Sequence, residues 1–594
     1  MKILGLSFDY HNSAAALIVD GEIIAAIDEE RLSRVKNDPS LPVNAINACF
    51  ELAGLDAQQI DAVVFYENAL ERFSRIVWSA MGEDREDKEW LEMASSEWIA
   101  LGKLYPQERL AETLGIPENR IFQVNHHDSH LASAYYCSGF EEATIISLDG
   151  LGEYDCGAIG AAEGRTISRL KTQPFPHSLG LFYSAFTSFL GFKVNDGEYK
   201  VMGFSGYGIP KYWEEMFSWF HFEDDGTFTL DQKYFNFFTP KIAAYSNELV
   251  KRFGPPRSPN KNTRWSKDIW KLFEQDNREN RDFDGDEIYA DIAASVQRCT
   301  EEVILAVADR AIQLTGKKKL CMAGGVALNS VANGRLKRER PWPLFVQPNA
   351  GDAGSALGAA LDFHAKNTEL PVPKFSTPYL GLSIDREELE SAISRYGIAD
   401  WQKFDDQSTL TSEVARRLAN GEICGWVQGR FEWGPRALGR RSILADPRSR
   451  NTVDVVNSRI KFRESFRPFA PSVTVEAANT FFDLPGPILD HDTETYMLAV
   501  HPVRPEAVDR IAAVTHVDGS ARIQVVSEQR NPVYWQLIQQ FGTQTGVPVL
   551  LNTSFNLKDE PIVNTAKDAI ATFIYSDLDF LVIDNCIINR DYRL

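Results

Sequence analysis

Three short apolar runs open the chain, KILGLS, AAALIV and EIIAAI, divided by a polar loop from Asp9 to Ser13 and by an Asp20-Gly21 turn. Runs of this length between turn residues predict a three-stranded antiparallel meander. The same plan returns at 144–170, where TIISLDGLGEYDCGAIGAAEGRTISRL again gives strand, Asp/Gly loop, strand, glycine turn and strand. This is duplication of a supersecondary unit rather than a short-period repeat. Between the copies, the small residues Ala132, Ser133 and Ala134 follow a histidine-rich stretch and predict a closely packed helix. Farther on, Ile288, Ile292, Val296, Val303 and Val307 recur near helical spacing and predict a helix over 286–315. Residues 205–285 are aromatic-rich and weakly periodic (YWEEMFSWFHF, KYFNFF, TRWSKDIWKLF), and read either as a lid or substrate wall or as a small subdomain with its own core. The stretch LPVPKFSTPYLG carries three prolines and reads as a linker, so a boundary is expected at 366–380, dividing 1–370 from 371–594.

Two meanders facing each other, with their first turns aimed at the phosphates of one nucleotide, describe an actin-like ATPase architecture. The plain alternative is two unrelated hairpins in a large α/β protein. With 594 residues, 44% of them hydrophobic, the chain can bury a core without disulfide staples. The net charge of −21 repels phosphate backbones and anionic lipid, which counts against nucleic-acid and membrane partners and favours a small substrate. Seven scattered cysteines with no CxxC pair fit a reducing cytoplasm and no thiolate zinc site. The N-terminus lacks the apolar core of a signal peptide, and no run of 18 apolar residues occurs, so neither targeting nor membrane insertion is expected.

His126 and His130 are four apart, so on a helix both imidazoles leave one face, with His127 as a substitute for His126 in another rotation. Asp149 lies at a strand end in SLDG, and Asp352 lies in NAGDAGSALGAA at a helix start. Two imidazoles with two carboxylates suit Fe²⁺, Mn²⁺ or Zn²⁺ and leave room for a substrate oxygen. No HExxH occurs. The turn AGGVALNS follows an apolar strand, and Gly324 and Gly325 there would let backbone approach a phosphate or an adenosine. DFDGDE at Asp282 has its glycine in the wrong loop position for an EF-hand, and capping by Asp284 or Asp286 explains it better. Arg436, Arg440, Arg441, Lys461, Arg463 and Arg467 form a cationic cluster in an acidic chain. They fit a shaped anion pocket, or else internal salt bridging with Glu432, Glu464 and Asp446. Arg522, Asn552 and Ser554 add donors at strand ends.

These residues resemble the NodU/CmcH O-carbamoyltransferases, which move a carbamoyl group from carbamoyl phosphate to a hydroxyl. The resemblance runs through KILGLSFDYHNSAAALIVDG, EERLSRVK, NHHDSHLASA, GEYKVMGFSGYG, GGVALNS, GDAGSALGAA, GPRALGRRSILADPR, IKFRESFRPFAPSV, HVDGSARIQ and LNTSFN, nearly the whole chain. It implies an α/β protein with an actin-like N-terminal domain followed by a YrdC-like domain. It also implies a metal, Fe²⁺ or another divalent transition ion, on His126, His130, Asp149 and Asp352. Nucleotide binding falls to Lys36, Gly324, Gly325 and Asn329, and carbamoyl phosphate to Arg436, Lys461, Arg467, Arg522, Asn552 and Ser554, with His11 as catalytic base. ATP with Mg²⁺ would form a carbamoyl-adenylate, and a small hydroxyl-bearing acceptor would take the group. The acceptor itself is left open among aminoglycosides, chitin oligosaccharides, cephems and polyketides, as is the oligomeric state. Two competing readings share parts of this pattern: an actin-like kinase or ATPase, and a tRNA threonylcarbamoyl-transfer enzyme, which the negative charge disfavours.

Overall fold

The computed structural model describes residues 1–81, 87–238, 243–258, 287–461, 463–464, 466–488 and 492–590. Residues 282–286 of the DFDGDE stretch, with Asp284 and Asp286, and the TRWSKDIWKLF part of the aromatic segment lie outside the described residues.

The opening segment forms β1 (Lys2–Ser7), β2 (Ala14–Val19) and β3 (Glu22–Asp28), joined by β4 (Ala62–Phe65) and β5 (Ile121–Gln123) in the order β3-β2-β1-β4-β5. The meander is antiparallel, while β1, β4 and β5 run parallel. A second sheet repeats this plan with β6 (Glu142–Leu148), β7 (Asp155–Glu163), β8 (Thr166–Pro174), β9 (Leu320–Ala323) and β10 (Leu344–Val346), in the order β10-β9-β6-β7-β8. Counted from the meander edge, both sheets run third, second, first, fourth, fifth. This duplicated order is that of an actin-like fold, and Ser7-Phe8-Asp9 at the end of β1 corresponds in position to Ser147-Leu148-Asp149 at the end of β6.

Six helices matter for the site: α1 (His126–Ser138), α2 (Leu179–Phe189), α3 (Glu198–Ser205), α4 (Glu287–Thr315), α5 (Ser330–Glu339) and α6 (Asp352–Asn367). Twelve of the thirteen residues of α1 are buried, because it lies between the sheets and against α6 rather than on the surface. That contact needs small residues. A Cβ on Gly358 would stand 1.9 Å from the carbonyl oxygen of Ser129, and one on Gly5 would stand 2.0 Å from that of Ala356, so α6 lies directly on both α1 and β1. Along α4, Ile292, Val296, Val303 and Val307 are buried as their spacing predicts, but Ile288 is 41% exposed in the first turn, beyond the packed face.

The described part of the aromatic segment has no separate core: Met216, Trp219, Phe220, Phe235 and Phe253 belong to the same buried cluster as Phe182 and Phe186 of α2. A hairpin of Phe220–Phe222 and Phe228–Leu230 packs on α2, with the Phe220 and Phe182 rings 5.2 Å apart. The proline-rich stretch is irregular in backbone, yet pinned: Arg430 donates to the carbonyls of Ile24, Leu380 and Gly381 at 2.7–2.8 Å, and Phe375 and Leu380 are buried.

Beyond it, β11 (Trp401–Lys403), β12 (Cys424–Val427), β13 (Arg441–Ala445), β14 (Ala470–Thr474), β15 (Gln524–Val526), β16 (Val549–Ser554), β17 (Phe580–Ile583) and β18 (Cys586–Asn589) form one mixed sheet. Its order is β11-β18-β17-β12-β13-β16-β14-β15. Successive side chains of a strand point to opposite faces, so Leu550 enters one core with Trp426 and Phe541, and Leu551 the other with Ile443 and Val473. Gly334 of α5 closes on this region, since a Cβ there would lie 1.9 Å from the carbonyl oxygen of Val500. Among the described residues no helix is long and apolar enough to cross a membrane.

Candidate functional site

The duplication decides where the first group of polar residues meets. Asp149 follows β6, α1 brings its N-terminal turn beneath that strand end, and Asp352 opens α6, which the glycine contacts press onto α1. His126, His130, Asp149 and Asp352 consequently offer four ligand atoms within 4.8 Å of one another. His126 Nε2 lies 3.1 Å from Asp149 Oδ2 and 3.8 Å from Asp352 Oδ1, and His130 Nε2 lies 3.4 Å and 3.7 Å from the same two atoms. His130 Nδ1 meets Ser355 Oγ at 3.2 Å, which turns Nε2 into the cluster, where it has no hydrogen-bond partner. Gly325 N–H donates to Asp149 Oδ1 at 2.9 Å. A buried imidazole nitrogen without a partner, facing two oriented carboxylates, fits a divalent transition ion of nitrogen and oxygen preference.

His127 does not substitute for His126. Its Nδ1 meets Ser147 Oγ and its Nε2 the carbonyl of Asp155, both at 2.9 Å, on the opposite side of the helix turn. Burial and the neighbouring His126 and His130 push it down to about 3, so it is a neutral core residue. Burial also opposes charge on His126, but its hydrogen bond to Asp149 and the charge of Asp352 outweigh this and raise it to about 9. Asp149 shows the converse: burial raises it, and two imidazole partners hold it well below the carboxylate range. His11 faces the same space, with Nε2 3.9 Å from Asp352 Oδ2.

Asp149 and Asp352 of this cluster line a cavity of about 350 Å³ together with Tyr10, His11, Lys36, Gly325 and Asn329, with His126 and His130 buried behind them. Gly324 is required for an internal reason: its φ is +89° and a Cβ would fall 2.2 Å from the carbonyl oxygen of Leu148. Asn329 caps α5 through Ala332 N–H and exchanges hydrogen bonds with Gln297. In the AGGVALNS turn, then, much of what looks like ligand chemistry holds the fold, while Gly325 orients Asp149.

A second cavity, of about 300 Å³, gathers Arg436, Lys461, Arg463, Arg467, Arg522, Asn552 and Ser554, with Lys36 at its edge. Burial, then the charges of Arg463, Arg467 and Lys36, depress Lys461 far below the lysine range, and Arg463 and Arg522 are lowered likewise. Burial first, and Arg467, bring Arg436 down to about 10. Cations that destabilise one another in a buried space favour an anion there. Arg467 pairs with Glu464 at 3.5 Å and stacks on Tyr199, but Arg436, Lys461 and Arg522 form no ion pair among the described residues. Lys461 Nζ is held by the carbonyls of Ser554 and Asn556 and by Asn556 Oδ1 at 2.7 Å.

Two arginines of the sequence cluster lie elsewhere. Arg440 stacks on Tyr379, 4.4 Å from the ring centroid, and Arg441 is fully buried, donating to the carbonyls of Gln428, Gly429 and Arg440. Glu432 is not their ion partner either, since its Oε1 accepts the backbone N–H groups of Leu438, Arg440 and Arg441. Asn552 differs from its reading as a donor. Its Nδ2 is spent on Ala437 O, Ser472 Oγ and Gln524 Oε1, and the atom left without a partner is the acceptor Oδ1. Ser554 Oγ donates to Asn556 Oδ1 and so belongs to the Lys461 cradle.

Three contributors escaped the sequence reading. Glu153 accepts the N–H groups of Asn68 and His126 at 2.9 and 2.8 Å and so fixes the first turn of α1. Tyr199 lines both cavities, and Asp28, at the end of β3, is raised to about 6 chiefly by burial. Strand-end position was a usable signal for Asp28, as it was for Asp149. Of the aromatic segment, Ser205, Gly206 and Tyr207 line the cation-lined cavity, and no described residue from 208 to 258 lines either cavity.

A family model described as carbamoyltransferase N-terminus matches residues 2–361, and one described as carbamoyltransferase C-terminus matches residues 415–590. An uncharacterised protein of Synechocystis sp. is 39% identical over 99% of this chain and 96% of its own. Nodulation protein NolNO of Sinorhizobium fredii is 38% identical over 98% of this chain and 79% of its own. A 3'-hydroxymethylcephem-O-carbamoyltransferase of Amycolatopsis lactamdurans is 38% identical over 42% and 45%. Among solved structures, a ROK hexokinase from Thermus thermophilus covers 61% of this chain and 98% of its own at 13% identity and a TM-score of 0.29, so the fold assignment rests on the strand order instead. With the two family models matching 2–361 and 415–590 and NolNO 38% identical over 98% of this chain, the chain belongs to the NodU/CmcH carbamoyltransferase family and is a carbamoyltransferase.

Proposed function

We propose that the chain is an ATP-dependent O-carbamoyltransferase, taking its carbamoyl group from carbamoyl phosphate, carrying it as a carbamoyl-adenylate and delivering it to a hydroxyl of a sugar or natural product. One observation carries this reading. The cation-lined cavity and the His/Asp-lined cavity share Lys36, Asp196, Tyr199, Met202, Pro435 and Arg436 as wall, so an activated group made in one has a short path to the other. In this reading 371–594 is a YrdC-like activation domain and 1–370 the metal- and nucleotide-binding transfer domain.

Arg436, Lys461, Arg467 and Arg522 hold the phosphoryl oxygens of carbamoyl phosphate, and the free Oδ1 of Asn552 accepts from its NH₂ group. Water cleaves the donor to carbamate and phosphate. A carbamate oxygen then attacks the α-phosphorus of ATP, which enters with Mg²⁺, and pyrophosphate leaves. Lys36 and the Gly325–Asn329 turn face the resulting adenylate. In the transfer step the acceptor oxygen bonds to the carbamoyl carbon, AMP departs with the bridging oxygen, and His11 takes the hydroxyl proton. Fe²⁺ or another divalent transition ion on His126, His130, Asp149 and Asp352 would supply Lewis acidity to the carbamoyl carbonyl.

The test separates the halves. Lys461→Ala or Arg467→Ala should abolish carbamoyl-phosphate-dependent pyrophosphate release from ATP, since each charge-assisted contact is worth about 1.5–3 kcal/mol and several act together. His11→Ala should spare that release and slow only transfer to the hydroxyl. Release that survives loss of both cations, or disappears with His11, contradicts the division of labour.

A further inference from the structure

We propose that Arg34 is a positioning residue that staples Lys36, from the first half of the chain, onto the loop of the second half that cradles Lys461, so that one anion site is built from both halves. This rests on the functional reading above. Arg34 ends the short helix Glu30–Ser33 in a left-handed conformation, φ +63°, and its guanidinium forks onto two consecutive carbonyls 527 and 528 residues away: Nη1 donates to Ile562 O at 2.6 Å and Nη2 to Pro561 O at 3.0 Å. Nε faces Asp568 Oδ1 at 3.7 Å, and the side chain is 27% exposed.

What Arg34 grips is the Lys461 cradle. Asn556, which holds Lys461 Nζ through its carbonyl and its Oδ1, donates from Nδ2 to Glu560 O at 2.6 Å, and Val563 N–H closes back on Phe555 O at 2.9 Å. Pro561 and Ile562 are thus part of a closed loop whose other end carries the ammonium group. Two residues beyond Arg34, Lys36 lines both cavities. The chain is then tied to the first half: Asn37 N–H donates to Glu30 Oε2 at 2.8 Å, and Asp38 O accepts from Ser13 N–H and Oγ. Lys36 hangs between these two anchors.

The physical need for a staple is repulsion. Lys36, Arg463 and Arg467 all act against the charge on Lys461, so a free loop would carry Lys36 away from the basin and into water, and only a bonded anchor keeps it there. A planar fork on two neutral carbonyls provides this anchor, which a point-charge ammonium cannot reproduce.

The experiment is a double-mutant cycle on binding of inorganic pyrophosphate, followed by calorimetric titration of the full chain, with Lys461→Ala as a check on the basin itself. Lys36→Ala and Arg34→Ala are each expected to weaken pyrophosphate by about tenfold. If Arg34 acts through Lys36, the double variant is no weaker than Lys36→Ala alone to within about twofold. Arg34→Lys, which keeps charge and fold but not the fork, should lose about threefold. Multiplicative losses in the cycle, or unchanged affinity in both Arg34 variants, overturn the staple and leave the basin standing. A wild-type chain that does not bind pyrophosphate, or binds it equally after Lys461→Ala, overturns the basin and the staple together.

Discussion

Gly358→Ala tests whether helix packing sets the geometry of the candidate metal cluster. The added Cβ would stand 1.9 Å from the carbonyl oxygen of Ser129, 2.8 Å from its carbon and 3.0 Å from the Cβ of Ser133. The first obstacle is backbone, which cannot rotate aside, so α6 must retreat from α1 by about 1.5 Å to restore ordinary contact. Two energies compete. Alanine is better than glycine in a helix by about 1 kcal/mol, whereas overpacking a closed helix interface costs about 1–3 kcal/mol, so the net effect is a modest loss of stability. The functional effect is larger. Asp352 is the first residue of α6 and His130 follows Ser129 on α1, so the same retreat separates the ligand atoms, and metal sites tolerate only about 0.2 Å. The variant should melt a few degrees lower yet retain under about one third of the metal of the wild type after anaerobic reconstitution with Fe²⁺. Element analysis with scanning calorimetry reads both. Full metal content at an unchanged melting temperature would show that the α1–α6 contact does not set the ligand geometry.

Proton competition gives a pH signature. His126 is raised from 6.5 to about 9, so its contribution to stability in chelator-treated protein is complete below pH 6.5 and is lost as pH rises through 9. Calorimetry should find the metal-free melting temperature falling over that window, and metal affinity by dialysis should rise over it as the proton is displaced; a flat profile in both would exclude His126 from the site. Among the arginines, Arg522→Ala should weaken inorganic pyrophosphate at least about tenfold, whereas Arg440→Ala should change it less than about twofold, because the Arg440 guanidinium rests on Tyr379 outside the basin. Arg441→Met should leave the carbonyls of Gln428 and Gly429 in the β12–β13 turn without a donor, while Arg440 O keeps the Gln428 N–H, so a loss of about 2–4 kcal/mol in urea unfolding is expected.

Local patterns decided the two meanders, because a strand's alternation and its turn residues are written within a dozen positions, and Asp149 could be found from its strand end alone. Helical spacing likewise aligned His126 with His130, and composition disclosed a cationic cluster. Which members of that cluster face a common space was not legible. Arg440, Arg441 and Arg436 stand within six residues of one another, yet the first two serve an aromatic ring and backbone carbonyls, while the third lines both cavities. The sequence places His126 and His127 side by side with equal chemistry. Only the packing of α1 beneath β6 turns one toward Asp149 and the other onto Ser147. The meeting of α6 with α1 at Gly358, and of Arg34 with Ile562 across 528 residues, depends on how separated segments stack. Periodicity and turn chemistry are short-range properties of the chain, so the sequence determined its elements. Burial, hydrogen-bond partners and mutual repulsion depend on neighbours brought together from far apart, and those only the tertiary structure decided.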